Sequence, residues 1–277
     1  MFIINILYYN MKYKTILYTL CWNEIDILPF VIDYWKEMQL DKVVVYDNES
    51  DDGSREFLEQ YDWIEVRNRA TNGEKDNDAH KKLKDECWKE AVNEYDFIMV
   101  CDIDEVLYFP QGIDKVLDKF SESPYNVLGV HNYALVEDYK PQKKEGLLAH
   151  EMGLRWYPQS SNHMNQYKEH GIGKFVFFKS DANISWSVGQ HIAYGCKAMV
   201  VDEGECISLH FFAGFGADYK VERNKKQRDR LSLNNKNKGY SSHYKKSEDE
   251  MRREYREYQS KAIDINEIIR QKNEQPN

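Results

Sequence analysis

Four short, mostly apolar runs in the first hundred residues, each followed at once by polar residues, constrain this chain more than anything else in it. They are residues 14–20 (KTILYTL), 42–46 (KVVVY), 63–66 (WIEV) and 97–101 (FIMVC). Runs with so little alternation suit strands buried on both faces, the habit of parallel sheets. Helical patterns lie between them. Ile27, Phe30, Val31, Tyr34 and Met38 recur at three- to four-residue spacing after Asp26, which reads as an N-cap with Pro29 in the first turn. Residues 55–61 read as a short helix. Asp78 is the expected cap of a third, whose Leu83, Cys87, Trp88 and Ala91 share a face. The alternation predicts an α/β fold, a mainly parallel sheet with helices on both faces.

Three of the polar clusters carry chemistry: Asn23-Glu24, residues 47–54 (DNESDDGS) and residues 102–105 (DIDE). Parallel pairing brings all three to one edge, and ligands of such sheets bind beyond the carboxyl ends of the strands. Carboxylates at i and i+2 of an extended chain point the same way, so Asp102 and Asp104 can converge on one divalent cation carrying a phosphate. An acidic turn facing water would show the same spacing; the neighbouring clusters favour a site. Gly53 and Ser54 suit a turn and a helix cap.

The second half is less regular. Residues 125–135, 174–179 and 206–212 read as strands, 136–173 as a long polar loop, and 218 onward as charged helices with a break at 234–242. This suggests a catalytic domain over 1–217 and a charged helical extension over 218–277. At 277 residues the chain can bury a sizeable core, and a mean hydropathy of -0.76 describes a soluble globular protein. The apolar stretch 1–9 is too short to cross a bilayer and lacks the flanks of a signal peptide, and Met11 is an alternative start. Five cysteines, odd in number and without a C-x-x-C pair, favour a reducing, cytoplasmic setting over a zinc or disulfide framework. A net charge of -9 argues against nucleic acid as a partner. The charge is uneven: residues 220–246 hold ten Lys or Arg against Glu222 and Asp229. That run reads as a solvated helical face, as a neutraliser of diphosphate, or as a peripheral contact to the inner face of an anionic membrane.

A strand ending in Asn-Glu, a second ending in Asp-x-x-Ser-x-Asp-Gly-Ser and a third ending in Asp-x-Asp-Glu resemble the family 2 glycosyltransferases of the GT-A fold, nearest the branch with a D-x-D-E motif. The resemblance covers residues 14–108 best and returns in 173–191 (GKFVFFKSDANISWSVGQH) and 208–228 (SLHFFAGFGADYKVERNKKQR). Val106 stands where an aromatic residue is usual, and the helix before the metal strand lacks an Ala-Arg-Asn signature. The resemblance implies a Rossmann-like GT-A sheet and transfer of a sugar from a nucleotide-diphosphate sugar to a hydroxyl of a glycan or other acceptor. It implies that Trp22, Asn23, Glu24 and Asp47 hold the nucleoside and that Lys174 and His191 line the site. Asp102, Asp104 and, as third ligand, His210 would hold Mn²⁺ or Mg²⁺, an imidazole tilting the set toward Mn²⁺. An inverting displacement needs a group to take the acceptor's proton. Glu137 or Asp138 is the expected one, with Glu169-His170 as another location, and Trp156, Tyr157 and Tyr167 offer aromatic faces for sugar rings.

Two other classes remain in view. FIMVCDIDEVL also satisfies the nucleophile motif of haloacid-dehalogenase-like phosphatases, with Asp102 attacking phosphorus. That motif usually sits on the first strand, and the only later acidic doublet suited to it is Asp202-Glu203. A non-catalytic sugar-nucleotide-binding protein would share the fold but has no need of intact metal acids.

Overall fold

The computed structural model describes residues 12–159, 172–212 and 214–274. In chain order the first half holds β1 (Thr15–Cys21), α1 (Leu28–Glu37), β2 (Lys42–Asp47), α2 (Ser54–Leu58), β3 (Ile64–Asn68), α3 (Asn77–Glu86), β4 (Phe97–Asp102), β5 (Glu105–Tyr108), α4 (Ile113–Glu122) and β6 (Val127–Leu135). The second half holds β7 (Arg155–Gln159), β8 (Ile172–Lys179), β9 (Ser185–Trp186), β10 (Ala193–Tyr194), β11 (Ala198–Val200) and β12 (Ile207–His210). It closes with α5 (Ala217–Asp229), α6 (Leu233–Lys238), α7 (Glu248–Ser260), β13 (Ile263–Asp264) and α8 (Ile265–Glu274).

The fold is mixed α/β around one curled, mainly parallel sheet, of Rossmann-like character. Strands β3, β2, β1 and β4 lie side by side and parallel. Beyond β4 the sheet turns antiparallel through β8, β6 and β7 to β13, while β12 pairs parallel to β6 and antiparallel to β5. The period of two along each strand divides the core. Leu17, Val43, Val45, Met99 and Cys101 pack with Phe30, Val31, Tyr34 and Trp35 of α1 and with Val116, Leu117 and Phe120 of α4. Ile16, Tyr18, Val44, Ile98 and Val100 pack on the other face with Leu83 of α3 and with Cys87 and Trp88 just after it. Helices therefore cover both faces. Among the described residues no helix is long and apolar enough to cross a membrane.

Some local expectations shift. The cap of α1 is Ile27 rather than Asp26, because the Glu24 carbonyl takes the N–H groups of Ile27 and Leu28; Asp26 pairs with Lys140. Asp76 caps α3 by accepting from the N–H groups of Asp78 and Ala79, both at 3.0 Å, which leaves Asp78 in the first turn. The stretch expected as a loop after β6 contains a 3₁₀ turn over Ala149–Met152 and the strand β7.

Candidate active site

Sheet register decides where the strand-end residues stand. Cys21 pairs across to Asp47, Leu20 to Asp102, and Asp47 to Asn68, so the three clusters emerge side by side along one rim. The 47–54 loop folds back to brace the turn after β1. Asn23, held at a φ of 54°, exchanges hydrogen bonds with Asp51: its Nδ2 donates to Oδ1 at 2.6 Å and its Oδ1 accepts the Asp51 N–H at 2.9 Å. Ser54 Oγ accepts the Glu24 N–H at 2.8 Å, and Asp52 accepts that of Ile25 at 3.1 Å. These polar residues hold the loop. Asp47 differs: it is 3 % exposed, its Oδ2 accepts the Ser50 N–H at 3.3 Å, and its buried Oδ1 has no partner. Trp22 presents its ring to the Arg230 guanidinium, 3.4 Å from the centroid.

Each acid after β4 meets a cation from elsewhere in the chain. Lys84 of α3 lies 2.8 Å from Asp102 Oδ1 and donates to Gln190 Oε1 at 2.7 Å. Against the upward push of burial, this ammonium brings Asp102 down to about 2. Arg223 of α5 donates to Glu24 at 2.5 and 2.7 Å and to Asp104 Oδ2 at 2.9 Å. His210, last residue of β12, sets Nε2 3.6 Å from the same Oδ2 and 3.7 Å from Glu105 Oε1. Burial would raise Asp104, but His210 and then Arg223 hold its carboxyl well below the usual range. Burial pushes Glu24 up to about 7 with Arg223 opposing, while Arg223 itself is held well above its ordinary value by Glu24 and Asp104. Lys174, 4 % exposed, lies 2.7 Å from Glu105 Oε1, and that carboxylate and Asp102 keep it charged against burial.

These contacts bring Glu24, Asp102, Asp104, Lys174 and His210 into one cluster behind the rim. His191 follows Gln190 in the β9–β10 loop, and Gln190 is bound to Lys84 and to the Val100 carbonyl. Glu137 and Asp138 sit past the end of β6, beyond Ala134, the register partner of His210. Glu137 accepts the Arg155 N–H at 2.5 Å; Asp138, with 69 % of its side chain exposed, meets Gln259 at 2.6 Å. Trp156 is fully buried, and Tyr157 stacks on Tyr258 at 4.5 Å. Tyr167, Glu169 and His170 lie outside the described residues. Asp202 and Glu203 are bound to Lys272, and Glu203 also to Tyr133.

Sequence reasoning missed Arg223, Arg230 and Lys84. A signal existed: Tyr219, Arg223 and Arg230 fall at spacings of four and seven, one helical face, and His80 and Lys84 are four apart on α3. The basic run turns out to be heavily paired within the protein. Lys220 meets Glu254, Lys225 meets Glu248, Lys238 meets Asp78 and Lys246 meets Glu254.

Whether these residues suit a divalent cation depends on donor spacing. Two donors each about 2.1 Å from a cation stand roughly 3 to 4 Å apart, and Asp104 Oδ2 and His210 Nε2 meet that at 3.6 Å. Among the described residues no group of three or more His, Cys, Asp or Glu is arranged around one point. Asp102, tied to Lys84, does not join Asp104 and His210 as a third donor, so the pair offers a cation one carboxylate and one imidazole, with its remaining positions left to substrate oxygens and water.

The chain matches the family described as Glycosyltransferase family 92 over residues 19–275. No curated protein matches it. Among solved structures, the crystal structure of HddC from Yersinia pseudotuberculosis aligns at 9 % identity with a TM-score of 0.34, covering 77 % of this chain and 99 % of that one. The family match corrects the resemblance to family 2. Strand-end Asn-Glu, Asp and Asp-x-Asp-Glu are short patterns, too short to separate one family from another by themselves. The match spans both the strand-end clusters and the segment bearing Arg223 and Arg230. The chain belongs to glycosyltransferase family 92 and is a glycosyltransferase.

Proposed function

We propose that the enzyme moves a sugar from a nucleoside-diphosphate donor to a hydroxyl of a glycan or related acceptor, with inversion, on a GT-A-type sheet and with Mn²⁺ or Mg²⁺. The observation that carries this reading is the 3.6 Å approach of Asp104 Oδ2 to His210 Nε2 at the shared strand edge. When bound there, the cation supplies Lewis-acid neutralisation of the departing diphosphate.

The chain's own groups do the rest. The partnerless Oδ1 of Asp47 accepts a base N–H or a ribose hydroxyl, and Trp22 gives the nucleoside a flat apolar face. Asn23 and Glu24 fix the turn that shapes this end. Lys84 holds Asp102, and Lys174 holds Glu105 opposite His210, so both carboxylates keep their orientation. Of the two expected proton acceptors, Asp138, with 69 % of its side chain exposed, suits the acceptor hydroxyl better than the half-buried Glu137. It lines an open depression with Tyr139, Phe215 and Gln259, and Tyr139, 72 % exposed, offers a ring face to a sugar.

Asp104→Ala should abolish transfer while leaving the fold intact; full transfer by that variant would remove the metal role. A thermal-shift screen of nucleoside diphosphates with and without Mn²⁺ should single out one base, because ligands stabilise only through the folded state. Phosphate release from a generic phosphomonoester should be absent, and its presence would favour Asp102 as a nucleophile.

A further inference from the structure

Arg223 grips two carboxylates at once. Nη1 and Nη2 hold Glu24 at Oε2 and Oε1, at 2.5 and 2.7 Å, and Nη2 also donates to Asp104 Oδ2 at 2.9 Å. A guanidinium carries two N–H on each terminal nitrogen. The fork on Glu24 uses one from each, so the second N–H of Nη2 serves Asp104, and releasing Asp104 leaves the fork intact. That oxygen is also the one facing His210. A divalent cation placed between Asp104 and His210 would compete with the guanidinium for the same oxygen, and the two positive groups would repel.

We propose that Arg223 is a handover residue. It holds Asp104 in the cation's stead, yields it when the cation arrives, and leaves the freed Nη2–H for an oxygen of the donor diphosphate that comes to Asp104's side. The proposal rests on the metal-dependent reading above. Charge supports it: Glu24 and Asp104, when both are ionised, against one guanidinium leave the trio at net minus one. A divalent cation turns this to plus one, which a diphosphate answers, so cation and donor bind in succession. The helix carrying Arg223 is anchored on either side of it, by Lys220 on Glu254 at 3.1 Å and by Gln227 on Lys75 at 3.1 Å. The handover is thus a side-chain movement on a fixed backbone.

The test is titration calorimetry on the full chain with Arg223→Gln and, should loss of the charge prevent folding, Arg223→Lys. A lysine's single ammonium cannot fork onto Glu24 and reach Asp104 together. Mn²⁺ alone should bind either variant about tenfold tighter than wild type, since a competing charge within a few ångströms has gone or moved. Uridine or guanosine diphosphate, titrated with Mn²⁺ saturating, should bind about tenfold more weakly, having lost a charge-assisted donor. The opposite signs identify the handover; a purely structural residue would weaken both or neither, and that result overturns it. Mn²⁺ binding by wild type with no gain in the variants defeats the handover alone. Absence of Mn²⁺ binding in every form, with diphosphate present, defeats the metal-dependent reading and the handover with it.

Discussion

The four parallel strands and the segment from α5 to α8 reach the same rim by different means. Strands β1 to β4 and helix α1 bury Leu17, Val31, Tyr34, Trp35, Val43 and Met99, an apolar interior of the ordinary kind. Helices α5 and α6 instead bury Lys220, Asn224, Gln227 and Asn235. They dock by polar bonds: the Ser232 hydroxyl donates to Asp76 at 2.9 Å, Asn235 Nδ2 to the Lys75 carbonyl at 3.0 Å, and Asn77 N–H to Asn235 Oδ1 at 2.9 Å. The first region provides the rim carboxylates and the second provides Arg223 and Arg230. Apolar packing therefore sets the position of the rim carboxylates, and the charge around them depends on the second region.

Mutation can sharpen or break this division. Trp35→Ala, emptying a site 1 % exposed, should cost roughly 4 kcal/mol in denaturant unfolding; a loss under one would deny α1 its central place. Arg223→Ala should cost about 3 kcal/mol by leaving Glu24 and Asp104 without their shared cation, and Mn²⁺ should restore part of it. Equal stability with and without Mn²⁺ would detach the cation from this group.

Acid should act on the apolar region through His150, whose ring Nδ1 meets Tyr34 Oη at 2.9 Å. Burial lowers His150 to about 4 from 6.5. The unfolded chain then takes the proton first, so this contribution is whole above pH 6.5 and fades as pH falls toward 4. At the lower end roughly 3 kcal/mol should be gone. His80 and His243 are also lowered, to about 3 and about 4, and add the same sign. His150→Gln should flatten its share of the slope, read from unfolding midpoints across that range; an unchanged slope would assign the effect to the other two.

The smallest effect concerns salt. Exposed pairs such as Arg252–Asp218 and Lys225–Glu248 contribute little and weaken with ionic strength. Raising salt should quicken amide exchange in α5 to α8 more than in β1 to β4. Equal response in both regions would erase the distinction.

What could be read from the amino-acid string follows the same division. Strands buried on both sides must be apolar throughout, so β1, β2 and β4 announce themselves, and their order places Asp47 and Asp102 on one edge. Helix α5 carries no such mark. Its buried positions are Lys220, Asn224 and Gln227 beside a single Val221, and apolar periodicity is blind to a polar interface. Strand β5 was hidden because it opens on Glu105, whose burial makes sense only with Lys174 from β8 beside it. His210 was visible because Ile207 and Leu209 mark its strand as buried. Its 3.6 Å approach to Asp104 depends on β12 pairing with β5, a long-range contact that no local pattern encodes.

Glu24 and Arg223 are separated by 199 positions along the chain. Synthesis runs from the amino end, and early segments begin folding before late ones leave the ribosome. Glu24 and Asp104 thus lack their shared guanidinium through most of translation, until α5 emerges. A product stopped before Arg223 would keep the sequence of β1 to β12 and leave Glu24 and Asp104 without that partner, so in this enzyme the last quarter of translation completes the charge balance of a rim laid down near its beginning.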